Sequence, residues 1–320
     1  MELDLSIVIV SWNTREDLRT CLAAVPDARG GLSTEVFVVD NASSDGSPQM
    51  VQDEFPKVIL IESGANLGFA AGNNLALPSC QGRHILLLNP DTIPENNSLA
   101  KLSAFLDAHP DAGACGPLLT DTNGAPALSW GTGPKLRYHL LSLIDPTRSW
   151  LPGNLRTATA ARLGPTEGRP FKVDYVVGAC LMMTHKAYEQ VGNLDERYFL
   201  YFEETDWCRR TQDLGMAIWC VPNSRVAHLE GRAAARVSRF SLAQFQASLR
   251  IFVGEHQGQA RVPLYRTALF LEYSLKAMFR GLVSIFSQNE GRVRNAALAS
   301  DHWFVALLQL QSRVDPRPPV

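Results

Sequence analysis

Leu86-Leu87-Leu88-Asn89-Pro90-Asp91 is an apolar run that ends abruptly in a single carboxylate. Apolar residues at successive positions describe a strand buried on both faces, as in a parallel sheet with helices on either side. In an open α/β sheet, ligands bind outside the carboxyl ends of the strands, so Asp91 is expected in that crevice. A carboxylate there suits a divalent cation that keeps several waters while it holds a substrate diphosphate. Asn-Pro-Asp is also good turn chemistry, and the hexapeptide alone leaves both readings open.

The neighbouring segments repeat the pattern. Leu5-Ser6-Ile7-Val8-Ile9-Val10 runs into Ser11-Trp12-Asn13, and Val36-Phe37-Val38-Val39 runs into Asp40-Asn41-Ala42-Ser43-Ser44-Asp45-Gly46. A weaker run, Val58-Ile59-Leu60-Ile61, precedes Asn66-Leu67-Gly68-Phe69-Ala70-Ala71-Gly72-Asn73-Asn74. Apolar runs mostly separated by helix-length segments predict βαβ units and a parallel sheet. Asp40, the Asn66 loop and Asp91 are then expected at one sheet edge.

These segments, from Ser6 to Asn13, Val38 to Ser47, Asn66 to Phe69 and Leu88 to Asp91, resemble family 2 glycosyltransferases, nearest the rhamnosyltransferase-like branch. The resemblance continues through Gly178-Ala179-Cys180, Val191-Gly192-Asn193-Leu194-Asp195-Glu196 and Phe199-Leu200-Tyr201-Phe202-Glu203-Glu204-Thr205-Asp206-Trp207-Cys208-Arg209-Arg210, ending near Val221-Pro222 and His228. It implies an α/β, GT-A-like (Rossmann-like) fold: a mixed, mainly parallel sheet with flanking helices over residues 1–235, then a C-terminal helical region, 236–320. It implies an inverting transferase that uses Mg2+ or Mn2+ and a pyrimidine nucleotide sugar, most like dTDP-L-rhamnose. The acceptor would be a saccharide of cell-surface polysaccharide synthesis, with a polyprenyl-diphosphate-linked saccharide among the candidates. A UDP-linked galactofuranosyl, glucosyl or N-acetylhexosaminyl donor is the alternative, and a catalytically weak nucleotide-sugar-binding module is the rival of another class. A nucleotidyltransferase would want a Gly-rich basic loop after its first strand, and Ser11-Trp12-Asn13-Thr14-Arg15 offers none.

Composition bounds the classes. The 320 residues are 46% hydrophobic and 19% charged, the balance of a globular protein. A net charge of −2 gives no electrostatic reason for a nucleic-acid partner. The acidic start Met1-Glu2-Leu3-Asp4 leads straight into a strand, unlike a secretory signal. The six cysteines form no CxxC or Cys/His zinc pattern and are expected to be free core thiols, which fits a reducing, cytoplasmic setting. No stretch reaches the roughly 18 apolar residues of a membrane span. From Leu264 to Phe286, polar residues Glu272, Lys276, Arg280, Ser284 and Ser287 form one narrow stripe, and the remainder forms a wide apolar face. Such a helix suits a bilayer interface, which would make the protein peripheral on the inner membrane face, or packing on the catalytic domain or a homodimer partner. The Gly-, Pro-, Thr- and Arg-rich stretch from Asp121 to Arg169 is expected to be loop, and the tail from Pro316 to be disordered.

Glycosyl transfer needs a neutralised leaving diphosphate, a sugar held in line and a deprotonated acceptor hydroxyl. Asp91 is the candidate metal ligand. The family often has Asp-X-Asp there, and this chain has Asn89 at the first position. The family also carries a histidine after its Val-Pro strand, which makes His228 the second candidate ligand. On a helix starting at Glu203, Glu203 and Asp206 share a face and Glu204 lies off it. The family pattern Glu-Asp-X-Asp places its base on Glu204, with Asp206 the fallback and Glu203 beside them; acidic dressing of a helix N-terminus is the other reading. Asp40, acceptor-only when ionised, matches the N3–H of uracil or thymine. Its competing role, a helix N-cap, is already available from Ser43, Ser44 and Asp45. Ser11, Asn13, Asn41, Asn66, Gly68 and Asn89 complete the expected nucleotide side, with Gly68 and Gly72 allowing close backbone approach.

Overall fold

The computed structural model describes residues 3–144, 168–229 and 239–312. Much of the stretch expected to be loop, and the Pro-rich tail, lie outside the described residues. The chain divides into two units: residues 3–132, 168–199 and 203–229 form the first, and 133–144, 200–202 and 239–312 the second.

In the first unit, the apolar runs are strands. β1 (Leu5–Ser11), β2 (Thr34–Asp40), β3 (Ile59–Glu62) and β4 (His84–Leu88) are joined through the helices Arg15–Ala28, Ser47–Glu54 and Gly68–Ala76. They pair in the order β3-β2-β1-β4, all parallel. β5 (Thr92–Pro94), the helix Ser98–Ala108, β6 (Ala112–Thr120), β7 (Trp130–Gly131), β8 (Phe171–Val173), β9 (Tyr175–Val176), β10 (Cys180–Thr184) and β11 (Ala217–His228) follow. β10 lies antiparallel between β4 and β6, β6 is parallel to β11, and β5 and β8 pair antiparallel with β11. The sheet is therefore mixed beyond β4.

Alternation along each buried strand makes two cores. Leu5, Ile7, Ile9, Val38, Leu86 and Leu88 pack with Leu18, Leu22 and Val25 of the helix Arg15–Ala28. Val8, Val10, Phe37, Val39, Ile85 and Leu87 point the other way and pack with Ala70, Ala76 and Leu77. A strand covered on both faces needs apolar residues at every position, which is why the period-two signal is absent from β1 and β4. β3 sits at the sheet edge with its ends exposed, matching its weaker run. All six cysteines are buried and free.

The second unit is helical: Leu136–Ile144, Arg239–Gln257, Val262–Phe286 and Asn289–Leu308. The first of these lies within the span the sequence assigns to the catalytic domain and inside the stretch expected to be loop, where Leu136, Tyr138, Leu140 and Leu141 supply apolar residues for a helix. Phe202 packs on Phe245 and Phe252, and Arg266 donates to the Gln309 carbonyl at 2.8 and 2.6 Å. Among the described residues, no helix is long and apolar enough to cross a membrane.

Candidate active site

Parallel register puts the ends of the N-terminal strands side by side: Ser11 is opposite Asp40, and Asp40 opposite Glu62. Asp40 is buried, and its Oδ2 accepts from the Ser43 amide at 2.9 Å. Its Oδ1 is buried with no hydrogen-bond partner. The capping duty falls on Asp45, which accepts from Ser47 N at 3.0 Å and from Arg15 N at 2.9 Å and so serves two helix starts. A buried carboxylate oxygen without a donor costs free energy unless a ligand supplies one.

The loops around Asp40 are tied to one another. Asn13, in a left-handed backbone conformation (φ 53°), accepts from Ser44 N at 2.8 Å and donates its own amide to Ser43 Oγ at 2.9 Å. Ser11 Oγ meets Thr14 Oγ1 at 2.9 Å. Asn41 Nδ2 donates to the Gly68 carbonyl at 2.9 Å, and Asn66 Oδ1 accepts from Gly68 N at 3.1 Å. Gly68 has φ +83°, and a Cβ there would stand 2.4 Å from the Phe199 carbonyl oxygen, so the position admits only glycine. Phe69 packs on the core, as its sequence context suggests. The side-chain oxygens of Asn13 and Asn66 thus organise loops. Trp12, half exposed at 51% beside them, is a residue the motif reading passes over. The signal was an aromatic placed at a strand end, where the core no longer needs it.

The second cluster lies where β4 ends. His228 is opposite Thr92 in the β11–β5 ladder, and Leu229 N donates to the Asp91 carbonyl at 2.9 Å. That pairing brings His228 Nε2 to 3.3 Å from Asp91 Oδ1, across 137 positions of sequence. His228 is buried and Asp91 keeps partial access to solvent. One imidazole nitrogen and one carboxylate oxygen make a donor set suited to Mn2+ or Mg2+ with the remaining positions left to water and phosphate. Among the described residues no third His, Cys, Asp or Glu joins them. Asn89 is anchored through its backbone, its amide donating to the Ala179 carbonyl at 2.9 Å and its carbonyl accepting from Thr92 Oγ1 at 2.7 Å.

The acidic helix begins at Glu203, as its sequence suggests, and runs to Asp213. Glu203 and Asp206 are both buried and Glu204 is half-buried, in keeping with the shared face at i and i+3. Glu204 packs against Gly178, where a Cβ would lie 3.5 Å from its side chain. Gly178 directly precedes the Ala179–Asn89 contact, so Glu204 stands near the edge that carries Asp91. Thr205 Oγ1 donates to Glu204 Oε1 at 3.2 Å. Burial raises the carboxyl of Glu204, and burial together with the neighbouring Glu204 charge raises that of Glu203 well above its usual range. Glu203 Oε2 has no hydrogen-bond partner. Asp206 is engaged differently: Arg210 Nε donates to its Oδ2 at 2.8 Å, and Arg210 also donates to the Val191 and Asn193 carbonyls at 2.9 and 3.0 Å.

The Glycosyl transferase family 2 model matches residues 6–167. The N-acetylglucosaminyl-diphospho-decaprenol L-rhamnosyltransferase of Mycobacterium tuberculosis is 30% identical over 280 residues, 81% of this chain and 87% of that one. The dTDP-rhamnosyl transferase RfbF of Shigella flexneri is 24% identical over 241 residues, 74% of this chain and 73% of its own length. In fold, the chain is similar to the mannosyltransferase PcManGT of Pyrobaculum calidifontis, solved with GDP-Man and Mn2+, at a TM-score of 0.58, 14% identity and 97% and 88% coverage of the two chains. The ordered strand-end motifs, the sheet they build and these matches agree: the chain is a glycosyltransferase that belongs to family 2 and is rhamnosyltransferase-like within it.

Proposed function

We propose that this glycosyltransferase transfers L-rhamnose from dTDP-L-rhamnose, with inversion, to a polyprenyl-diphosphate-linked saccharide in cell-surface polysaccharide synthesis. The reading rests most on the Asp91–His228 pair, both expected as ligands from the resemblance and 3.3 Å apart, at the edge where a diphosphate is expected. The names of the mycobacterial and Shigella relatives support the sugar, and the mycobacterial name supports the lipid-linked acceptor.

Asp40 Oδ1 accepts from the N3–H of the pyrimidine ring, and the exposed Trp12 indole supplies a face for that ring to stack on. Asp91 and His228 would hold a divalent ion, which when bound would offset the negative charge of the leaving diphosphate. Glu204 takes the proton of the acceptor hydroxyl as its oxygen attacks the anomeric carbon opposite the breaking bond to the diphosphate. Burial raises its carboxyl above the usual range, which makes the ionised carboxylate a stronger base. Asp206, held by Arg210, fixes the helix that presents Glu204. Contact of the helix from Leu264 to Phe286 with the cytoplasmic membrane face would bring the enzyme to a lipid-linked acceptor. Asp40 reads an edge that uracil and thymine share, so a UDP-linked donor is the second reading.

A thermal-shift panel of dTDP-rhamnose, UDP-sugars and GDP-sugars, with and without Mn2+, tests the donor. Selective binding of the native state raises Tm by mass action. A Mn2+-dependent shift with dTDP-rhamnose alone supports the proposal. A shift with GDP-sugars, or with UDP-sugars alone, overturns the donor assignment.

A further inference from the structure

The helices Val262–Phe286 and Asn289–Leu308 are joined by a two-residue turn and pack as a hairpin whose polarity is reversed for a water-exposed element. Its polar stripe faces inward. Glu272 is buried and accepts from His139 Nδ1 at 2.8 Å and from Lys276 Nζ. Arg280 Nη1 donates to Asn295 Oδ1 at 3.0 Å, and Asn295 Nδ2 reaches Ser287 Oγ at 3.5 Å. With the polar side chains satisfied within the unit, the wide apolar face is turned outward. Exposure runs along the helix, with Leu264 at 56% and Met278 at 63%, and is greatest at the turn, where Ile285 is 68% and Phe286 85% exposed and Val293 on the second helix 72%.

An exposed apolar face whose most exposed residues gather at one end calls for an apolar partner there. The charge around that end says which. Arg292 and Arg294 flank Val293, both exposed, and among the described residues neither forms an ion pair; with the exposed Glu290 of the same first turns the end still carries a net positive charge. Cationic side chains beside large apolar ones are the combination an anionic bilayer interface binds, whereas a second copy of this face would bring like charges together. Neither helix can cross a bilayer, so insertion is limited to the interfacial layer.

We propose that the turn end of this hairpin is a membrane-insertion tip for anionic lipid, with Ile285, Phe286 and Val293 entering the acyl boundary and Arg292 and Arg294 meeting the headgroups. This deepens the membrane contact of the proposed function, and its readout is vesicle binding, independent of donor or acceptor chemistry.

The test is co-sedimentation of the full chain with vesicles of phosphatidylglycerol and phosphatidylcholine, against phosphatidylcholine alone, with light scattering of the protein in parallel. The expected result is binding to the anionic vesicles that falls as salt rises. The pair I285S/F286S, at positions already exposed to solvent, should lower the partition about tenfold or more at unchanged Tm. R292Q/R294Q should weaken binding to the anionic vesicles only. No binding by the full chain, or a dimer that I285S/F286S dissociates, overturns the proposal. Binding that survives I285S/F286S overturns it as well. A thermal shift with nucleotide sugar on the same variants tests the transferase reading separately.

Discussion

Glu204 carries the sharpest residue-scale expectation. Glu204→Gln keeps size and most hydrogen bonding and removes the capacity to accept a proton. Turnover should fall by about 10²–10⁴-fold with donor affinity nearly unchanged. Glu204→Asp should also lose turnover, because Gly178 leaves space shaped to the longer arm and a misplacement of about an ångström costs roughly 10²-fold. Full activity of Glu204→Gln would remove it as the base. Asp91→Ala should abolish Mn2+-dependent donor binding measured by calorimetry while Tm without ligand stays put, since Asp91 lies beyond the strand and is not in the core. Unchanged affinity in Mn2+ would take Asp91 out of the site. Asp40→Ala should weaken uracil and thymine nucleotides by about 1.5–3 kcal/mol, the range for a hydrogen bond to a charged group. An equal loss for a purine nucleotide would refute base recognition.

At the scale of elements, a half-buried tie helps to hold the helix Glu203–Asp213. Arg210 joins Asp206 to the carbonyls of Val191 and Asn193, and Leu194, in the same segment, exchanges hydrogen bonds with Asn74. If Asp206 acts through this tie, Asp206→Asn and Arg210→Ala should resemble each other. Each should lower unfolding free energy by about 1.5–3 kcal/mol and reduce turnover by a similar factor. A dead Asp206→Asn beside a nearly normal Arg210→Ala would make Asp206 the base instead. Urea unfolding and steady-state rates on the two variants decide it.

Across the whole molecule, two buried carboxyls pull acid stability in opposite directions. Burial would raise Glu272, yet the His139 hydrogen bond and the Lys276 charge hold it down, at about 2. Its folded pKa is depressed, so its contribution is full above the unfolded value near 4.5 and is lost as pH falls toward 2. Glu203 is raised, so its burial costs nothing below the unfolded value and the cost grows as pH climbs through the folded one. Scanning calorimetry should therefore show Glu203→Gln raising Tm at pH 8 and leaving it unchanged near pH 4. Glu272→Gln should lower Tm at pH 7 and flatten the acid limb. A Tm for Glu203→Gln that is equally raised at both pH values would exclude titration as the cause.

The parallel half of the sheet was legible in the chain because a strand covered on both faces must be apolar throughout, and β1, β2 and β4 each end where the polar loop begins. The strand-end placement of Asp40 and Asp91 follows from the same rule, and the shared face of Glu203 and Asp206 follows from i, i+3 spacing. Tertiary structure decided the rest, since it depends on pairings between distant segments. The β11–β5 ladder, not any local pattern, sets His228 against Asp91. Arg210 is within i, i+4 reach of Asp206 on the same helix, and what tertiary structure adds is the Val191 and Asn193 carbonyls that anchor the pair. The sequence also showed that the Leu264–Phe286 helix is amphipathic. Which face is buried was decided by His139 and Asn295, which lie far from it in the chain or on the next helix and satisfy its polar stripe, leaving the apolar face outside. Amphipathicity is a local property of one helix, whereas the direction it faces depends on what the rest of the unit offers to pair with.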